Sequence, residues 1–404
     1  MFFKKSFWSK FFLIFLILLF SIGFLGYRGL KYFSPEKILG SSFVEKQVGE
    51  ENADLLKVVP RLLGFTKPMT YLLLFENNTE LRPGGGFIGT YAVVKMDRGG
   101  VDVVKLDGTE NLDRNTPEDF KINPPSPIKD HLGVDRWYFR DSNWSPDFVE
   151  SAKQALFLYK GEGGVEAENI DAVIAITPEV LENILKQVGP ITVEGIKFTA
   201  ENVTEKLEYE VEYDYQKKGI DFTERKAIIK PLMLTMLSKL KTDLIFDLRG
   251  YLEMMNNLAE EKHIMIYSLD KDLENIVKEK GWSGEVKKTE GDYLLWVDAN
   301  LAALKTDHAL ERKLSYSFYK DKNGRILASA EMKYIHTGYF DWRTSRYRTY
   351  TRIFVPLGSE LVSVEGAMKW DRNREPGIID EGEELGKKWF GTFISIEPGQ
   401  TKSL

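Results

Sequence analysis

The sequence predicts an α/β protein with an N-terminal transmembrane helix, an α/β sandwich and a mostly β, sandwich-like C-terminal domain. The first observation is an uncharged apolar run, FFLIFLILLFSIGFLGY, over residues 11–27. The second is the alternation of strand-like and helix-like patterns from residue 71 to about 282, which is typical of layered α/β domains. The third is a change near residue 282, after which most segments alternate as β-strands do.

Composition excludes several classes of function. The 404 residues allow two globular domains after an anchor. A net charge of −6 argues against nucleic acid as a main partner, which would favour a basic face. The chain has no cysteine, so a disulfide framework, a thiolate zinc site and a cysteine nucleophile are excluded. The four histidines are scattered, which argues against a histidine metal site.

The N-terminal run predicts a membrane anchor, because its length suits a spanning helix once it extends past Arg28. A cleaved signal peptide is the alternative, but no alanine precedes Ala53, so a small-residue cleavage site is lacking. Lys4, Lys5 and Lys10 favour a cytoplasmic N-terminus, which places the bulk of the chain outside the cytoplasmic membrane. The predicted segments are a cytoplasmic tail (1–10), a transmembrane helix (11–30), a stalk (31–66), an α/β domain (67–282) and a β-rich domain (283–404).

Within 67–282, apolar runs, turn dipeptides and capping residues predict the elements. Asp107–Asp141 is expected to be a loop because four prolines interrupt it. The predicted elements are a strand at 71–75, a hairpin around Gly99-Gly100, a helix from an N-cap at Ser145 to Tyr159, a strand at 170–176, a helix from 177 to 189, a hairpin in ITVEGIKFT, helices near 200–210 and 224–260, the second interrupted around Lys241, and a strand at 263–268.

In the C-terminal domain, Asn323-Gly324 predicts a hairpin turn. The chain is expected to continue beyond its last residue, because WFGTFISIEPGQTKSL stops as a new strand pattern begins. The predicted strands lie in YLLWVDAN, LSYSFYKDKNGRILASAEMKYIH, SRYRTYTRIFVP, LVSVEG and WFGTFISI.

The segment ELRPGGGFIG (80–89) is the most unusual stretch of the chain. Gly84, Gly85 and Gly86 would let the backbone approach a ligand and present N–H groups to an anion. It is neither a Walker loop nor a dinucleotide fingerprint, because no G-K-[ST] and no helix follow. A tight turn between strands explains it equally well.

The segment WYFRDSNWSPDF (137–148) is a second candidate. Arg140 and Asp141 precede the predicted cap at Ser145, where a helix N-terminus would favour an anion. Arg140 could bind phosphate, and Asp141 could be a metal ligand or a general base. The alternative is a salt-bridged loop with two buried tryptophans.

Two further groups are cationic. Arg225, Lys226 and Lys230 fall at helical spacing, so they predict either an anion site or an ordinary solvated helix face. The arginines of the segment SRYRTYTR (345–352) share strand parity and would line one face of a sheet. That face could bind an anionic glycan, or it could be the hydrated side of the sheet.

Several stretches together resemble a bacterial family of unknown function, the DUF numbered four thousand and twelve. The resemblance extends from about residue 70 to 360 and implies no established activity. Its segments are LLLFENNTELRPGGGFIG, RDSNWSPDFVESA, IDAVIAITPEVLENIL with VGPI, EKHIMIYSLD and GDYLLWVDANLAALKTD.

The order of elements is also similar, more distantly, to the LytR-CpsA-Psr transferases, which attach lipid-pyrophosphate-linked glycopolymers to peptidoglycan. The resemblance implies a pyrophosphate clamp at Arg82 and Arg225, joined by Arg140, with Asp107 and Asp141 as catalytic groups that hold Mg²⁺. Asn78, Gly84, Gly85, Gly86 and Lys230 would then contact the substrate. The chain departs from that group at Asn77-Asn78, where an acidic loop is expected, and at Lys105–Gly108, which lacks an arginine.

Two functions follow from these patterns. The first is a transferase that handles a polyprenyl-pyrophosphate-linked glycan and attaches it to peptidoglycan. The second is a non-catalytic envelope protein that binds a wall glycan or a partner protein. The first predicts that Arg82, Arg140 and Arg225 converge on one cleft, and that their replacement by alanine abolishes binding but leaves the melting temperature nearly unchanged.

Overall fold

The structure is a computed structural model, and it describes residues 60–243, 248–372 and 375–404. The predicted tail, the predicted transmembrane helix and most of the predicted stalk lie outside the described residues. Within those three ranges, no helix combines the length and the apolar character that crossing a bilayer requires.

The described residues form a mixed α/β structure. The strands are β1 (Met69–Asn77), β2 (Phe87–Asp97), β3 (Gly100–Gly108), β4 (Ala172–Ile176), β5 (Ile191–Val193), β6 (Ile196–Phe198), β7 (Ile264–Ser268), β8 (Leu295–Asn300), β9 (Leu310–Lys320), β10 (Ile326–His336), β11 (Tyr347–Pro356), β12 (Asp380–Glu384), β13 (Lys387–Ile396) and β14 (Thr401–Ser403). The helices are α1 (Thr109–Arg114), α2 (Ser126–Leu132), α3 (Phe148–Gly161), α4 (Pro178–Val188), α5 (Val203–Tyr209), α6 (Ile229–Asp243), α7 (Leu248–Glu260) and α8 (Lys271–Glu279). A π-helical turn (Glu210–Asp214) and Tyr215–Lys217 extend α5.

The chain divides into two compact units. Of the described residues, the first unit contains 60–76, 88–120 and 152–285, and the second contains 77–87, 121–151 and 286–404. Two segments that lie inside the predicted α/β domain, 77–87 and 121–151, therefore belong to the second unit. Independent folding of residues up to 282 stays a prediction.

The first unit is built on a five-stranded sheet of order β3-β2-β1-β4-β7. Strands β1 and β4 pair in parallel, with Tyr71 opposite Ala172, and β4 pairs antiparallel with β7. Helices α4, α7 and α8 contribute to a core in which Val180, Leu258 and Val277 pack with residues of these strands. A second core joins α4, the β5–β6 hairpin, α5 and α6.

The second unit contains a three-stranded sheet of order β14-β10-β9 and a four-stranded sheet of order β12-β13-β11-β8. Side chains from both sheets meet in one core, where Met332 and Tyr334 of β10 pack with Tyr347, Ile394 and Ile396. Burying apolar surface between two sheets in this way stabilises a sandwich-like arrangement.

A buried polar network also links the strands of the second unit. Arg312 of β9 donates to Asp298 of β8 at 2.8 Å and to the hydroxyl of Tyr347 at 2.7 Å. It is also paired with Asp307. The Tyr334 hydroxyl donates to Asp298 at 2.8 Å. Because every charge here has an opposite partner, the network can be buried without leaving an isolated ion.

Three sequence predictions are wrong in detail. The predicted loop from Asp107 contains α1 and α2, and α2 tolerates Pro127 because the first turn of a helix needs no donor there. The predicted helix at 224–260 begins only at Ile229, whereas its predicted interruption around Lys241 agrees with the end of α6 at Asp243. LVSVEG (361–366) forms no strand, and its residues are exposed.

Candidate functional site

The glycine loop, residues 80–87, belongs to the second unit, and its backbone groups form hydrogen bonds within that unit. The Gly84 N–H donates to the carbonyl of Asn143 at 3.0 Å, and the Asn143 side-chain amide donates to the carbonyl of Gly86 at 2.6 Å. The Gly85 N–H donates to the carbonyl of Arg82 at 3.0 Å. The N–H groups of Gly84 and Gly85 are therefore used within the protein.

The loop also needs glycine for close approach to its own chain. A Cβ on Gly84 would lie 2.9 Å from the Cβ of Asn143, and one on Gly86 would lie 2.4 Å from the carbonyl carbon of Asn77. Gly85 adopts a φ of 140°, which L residues rarely adopt. These contacts favour the tight-turn interpretation of the glycine run over a ligand site.

Arg82 is buried in the same unit and paired with Asp141. Its Nε and Nη2 lie 3.2 and 3.1 Å from Asp141 Oδ1, and its Nη1 donates to the carbonyl of Asn300 at 2.5 Å. Only 3% of the Arg82 side chain is exposed. Its positive charge is therefore balanced inside the protein.

Arg140 lies on the other side of Asp141. Its Nε is 3.5 Å from Asp141 Oδ2, and its guanidinium carbon is 5.1 Å from the ring centroid of Tyr138. Its side chain is 30% exposed, in contrast to that of Arg82. The predicted substrate residue Asn78 is half-buried in the turn that follows β1.

The helix start after Arg140 differs from its prediction. Helix α3 begins at Phe148, and the carboxylate of Asp147 accepts from the N–H of Glu150 at 3.1 Å. Asp147 is thus the N-cap in place of Ser145, whose hydroxyl donates to Glu384 at 2.5 Å. A carboxylate already occupies the site where an anion was expected, so this helix start does not favour one.

In the first unit, Glu110 joins two predicted cations. Its Oε1 is 2.9 Å from Arg225 Nη2, and its Oε2 is 2.6 Å from Lys226 Nζ. Arg225 also pairs with Glu212 and donates to the carbonyl of Val211 at 3.1 Å, within the π-helical turn. Burial by itself raises the pKa of Glu110, but Lys226 and Arg225 outweigh burial and hold the pKa below its usual value.

Arg225, Lys226 and Lys230 do not share a helix face. Arg225 and Lys226 lie in the turn before α6, because the helix begins only at Ile229. Lys230, in the first turn of α6, is exposed.

Asp107 lies close to this cluster through Asn111. The Asn111 amide donates to Asp107 Oδ1 at 2.6 Å and to the carbonyl of Thr223 at 3.0 Å. Asp107 is also 2.8 Å from Lys105 Nζ. The structure thus places Asp107 near the chain that carries Arg225.

The predicted Mg²⁺ ligands are Asp107 and Asp141, which lie in different units. Asp141 faces two guanidinium groups, so its surroundings do not suit a metal cation. Within residues 60–243, 248–372 and 375–404, no three or more acidic, histidine or cysteine side chains are grouped as a metal site requires. The convergence of Arg82 and Arg140 with Arg225 stays a prediction, as does bound Mg²⁺.

A third cluster surrounds an open basin of about 640 Å³ in the second unit. The basin is lined by Arg372, Ser395, Glu397, Gln400 and Lys402. Its walls are polar and charged, with a carboxylate, an amide and two cations. Groups of these kinds can form hydrogen bonds with a hydroxylated or anionic ligand.

Two of the predicted strand arginines reach this cluster. Arg346 Nε is 2.6 Å from Glu397 and its Nη1 is 3.2 Å from Asp371, while Arg348 Nε is 3.2 Å from Asp371. Arg372 Nε is 2.7 Å from the same Glu397 oxygen that Arg346 contacts. The hydrogen bond from Arg372, supported by that from Arg346, holds the pKa of Glu397 below its usual value.

Lys402 adds a further cation to the basin. Its ammonium donates to the carbonyl of Ser395 at 2.7 Å, and burial lowers its pKa. The cluster around the basin thus contains four cations and two carboxylates. The cations are Arg346, Arg348, Arg372 and Lys402, and the carboxylates are Asp371 and Glu397. Arg352, by contrast, is buried, pairs with Glu384 and lies over the ring of Trp144.

Several residues of these clusters carried no usable signal in the sequence. Glu110 lies in a stretch predicted as loop, and nothing in the sequence distinguishes Asn143 from the rest of its motif. Arg372, Glu397 and Lys402 lie far from the strand arginines in sequence. The pairing of β11 with β13 and of β10 with β14 brings Glu397 and Lys402 near Arg346, and Arg372 joins them through its contact with Glu397.

Comparison with known proteins gives limited information. No protein of curated function matches the chain in sequence. Among solved structures, one match is the crystal structure of the transcriptional regulator yvhJ from Bacillus subtilis, at 12% identity, covering 56% of this chain and 85% of that one. Its TM-score of 0.26 is too low to support an argument about fold or function.

The family match is more specific. The model of the family described as protein of unknown function (DUF4012) matches residues 66–212. That range contains three of the five segments on which the sequence resemblance rests, including the glycine loop and RDSNWSPDF. The segments EKHIMIYSLD and GDYLLWVDANLAALKTD lie outside it, so the match is shorter than the expected range of about 70 to 360. Residues 66–212 therefore belong to the DUF4012 family.

Proposed function

We propose that the chain is a membrane-anchored envelope protein that binds an anionic wall glycan in the basin of its second unit. The observation that carries the proposal is the excess of cations in and beside the basin. Arg372, Lys402 and Glu397 line it, and the adjoining ion pairs add Arg346, Arg348 and one carboxylate, that of Asp371. A polymer with phosphate or carboxylate groups would balance this excess. The basin is open to solvent, so it would admit part of a longer chain.

The cellular location in this proposal comes from the sequence. The lysine-flanked apolar run of residues 11–27 favours a single membrane span with the bulk of the chain outside the cytoplasmic membrane. A wall glycan is the anionic polymer that such a protein would meet there.

The predicted catalytic arginines Arg82 and Arg225 are already paired with carboxylates inside the protein, which supports a binding function over a catalytic one. Arg82 is bound by Asp141 and by the carbonyl of Asn300, and Arg225 is bound by Glu110 and Glu212. A pyrophosphate would have to displace these carboxylates before it could use either guanidinium. Arg346, Arg348, Arg372 and Lys402 already exceed their partners in charge, so they need no such displacement.

The transferase is a second candidate, and one observation favours it. Asn111 joins Asp107 to the chain just before Arg225, two of the residues that the LytR-CpsA-Psr resemblance implies for catalysis. In that case the first unit would have the LytR-CpsA-Psr fold and would use Mg²⁺ and a polyprenyl-pyrophosphate-linked donor. Replacing Asp107 by Asn should then abolish transfer to peptidoglycan without changing glycan binding in the basin.

The test measures the affinity of the full chain for a purified poly(glycerol phosphate) and for neutral dextran. We expect binding of the phosphate polymer only, and weaker binding as salt is raised. Arg372→Gln and Lys402→Gln should each weaken binding about fivefold, the equivalent of about 1 kcal/mol for one exposed charge contact.

Arg98→Gln is the matched control. It removes one positive charge from an exposed side chain at the β2–β3 turn of the first unit, so it changes the net charge equally. Equal loss of affinity in Arg98→Gln, or equal binding of neutral dextran, would contradict a built anionic site in the basin.

A further inference from the structure

A two-stranded ribbon extends from the second unit. Strands β9 and β10 pair along their whole length, from Leu310 opposite His336 to Lys320 opposite Ile326. Strand β14 covers only Lys333–Ile335 of β10, and β9 is the outer strand of its sheet. Met332 exchanges two backbone hydrogen bonds with Leu404, so the ladder on β10 ends there. Residues 314–331 therefore have only β9 and β10 themselves as strand neighbours, and we call them the hairpin arm.

One face of the hairpin arm is an exposed apolar stripe. Directly opposed residues of an antiparallel pair share a face, and at the base this face carries Arg312 and Tyr334 into the buried network. Toward the tip the same face becomes exposed to solvent, and Phe318 and Ile326 are 53% and 71% exposed. The stripe consists of Leu314, Tyr316, Phe318, Ile326, Ala328 and Ala330.

The opposite face of the hairpin arm is mostly polar. It carries Ser315, Ser317, Ser329 and Glu331, together with Tyr319 and Leu327. The arm is thus amphipathic, although only its base contacts the core. An exposed apolar stripe that extends beyond the core is typical of a surface that contacts another molecule or a membrane.

The tip of the hairpin arm is cationic. Lys320, Lys322 and Arg325 flank the turn, and Asp321 pairs with Arg325 at 2.7 Å. Lys320 lies on the same face as the stripe, immediately after Phe318 in that row. The stripe therefore ends in positive charge, and its occupant should offer an apolar surface bordered by anions.

We propose that the hairpin arm lies on the surface of an anionic phospholipid bilayer. Phe318, Leu314 and Ile326 would enter the boundary between headgroups and acyl chains, where aromatic side chains are favoured. Lys320 and Lys322 would reach lipid phosphates, because lysine stems can extend along apolar surface while the ammonium stays polar.

The strand edge limits the depth of this contact. The outer edge of β9 has no neighbouring strand in its sheet, so its outward N–H and C=O groups need water or headgroups as partners. Unpaired backbone groups are excluded from the hydrocarbon core. The arm therefore lies in the interface and does not span it. This inference rests neither on the proposed glycan site nor on the predicted anchor.

The test uses the absence of cysteine from the chain. Full-length Phe318→Cys and Ser317→Cys proteins are labelled with a polarity-sensitive fluorophore and incorporated into vesicles of phosphatidylcholine, with or without phosphatidylglycerol. The two positions are neighbours on opposite faces of one exposed strand, so neither change should disturb folding. Iodide and spin-labelled lipids then report contact with water and with lipid.

With phosphatidylglycerol, we expect the label at 318 to be quenched by spin-labelled lipid and shielded from iodide, and the label at 317 to stay accessible to iodide. Lys320→Gln and Lys322→Gln should each weaken the dependence on phosphatidylglycerol about fivefold. Equal iodide quenching at 317 and 318 in anionic vesicles would overturn the proposal. Shielding at 318 in detergent, with energy transfer between labelled copies, would also overturn it and assign the stripe to a second copy of the chain.

Discussion

Two arginine sites in the second unit differ in how their charge is used. Arg82 is almost fully buried, and its donors are bound by Asp141 and by the Asn300 carbonyl. Arg372, at the basin, is 68% exposed and shares one Glu397 oxygen with Arg346. The charge of the first site is used within the protein, whereas the guanidinium of the second remains largely exposed to solvent. A conspicuous motif around an arginine therefore does not by itself indicate a binding site.

The largest effect that would test this contrast is on stability. Arg82→Met leaves Asp141 buried with only the more distant Arg140 as a cationic partner, so the free energy of unfolding should fall by about 3–5 kcal/mol. Urea unfolding followed by tryptophan fluorescence would measure this loss. This expected loss differs from the sequence-based prediction, in which replacing Arg82 by alanine leaves the melting temperature nearly unchanged.

The control for Arg82 is a double variant. Arg82→Met with Asp141→Asn removes both charges, so it should be more stable than Arg82→Met alone. If Arg82→Met unfolds at the same urea concentration as the unchanged protein, the buried Arg82–Asp141 pair does not stabilise the fold.

An intermediate effect is expected in the first unit. Glu110→Gln leaves Arg225 and the buried Lys226 without their shared carboxylate, and should lower the free energy of unfolding by about 3 kcal/mol. The unchanged protein should lose the same contribution in acid. Because the folded pKa of Glu110 lies below its usual value, this stability is present above about pH 4.5 and is lost as the pH falls through the folded value.

Glu261→Gln serves as the control for Glu110. Glu261 is an exposed carboxylate of the same unit, and its removal should change stability by less than about 0.5 kcal/mol. If acid unfolding of Glu110→Gln follows the same pH dependence as the unchanged protein, the stabilising carboxylate is a different one.

The smallest effect is expected at the basin. Glu397→Gln removes the carboxylate that lines the basin, so affinity for a phosphate polymer should rise about threefold while stability changes by about 1 kcal/mol or less. In the unchanged protein the same gain should appear as the pH falls through the lowered pKa of Glu397, because a phosphodiester stays charged there. A loss of affinity in Glu397→Gln would mean that this carboxylate contacts the ligand directly.

Much of the first unit could be predicted from local pattern. The β2–β3 hairpin follows from alternation on both sides of Gly99-Gly100, and α4 follows from Thr177-Pro178 and the stop at Gly189. The parallel pairing of β1 with β4 could not be derived that way, since about a hundred residues separate them. Local periodicity does not specify which distant strands pair.

The candidate sites were harder to predict, because their chemistry depends on neutralisation. The sequence identified Arg82, Arg140, Asp141 and Arg225 as chemically notable, and the structure places the first three together. It did not indicate that Asp141 neutralises Arg82 or that Glu110 neutralises Arg225. Opposite charges that are far apart in sequence leave no local pattern, so a buried ion pair resembles a ligand site until its partner is known.

The interleaving of the two units has a consequence for the order in which the chain can fold during synthesis. Asn300, whose carbonyl binds Arg82, follows that arginine by 218 residues. At roughly 5–20 residues per second, the ribosome needs some 10–40 s to supply it. During that time residues 77–87 and 121–151 have been made but their remaining unit has not, whereas the first unit is complete once residue 285 has emerged. The glycine loop and the RDSNWSPDF segment are thus among the early parts of the chain to be synthesised and among the last to reach their final environment.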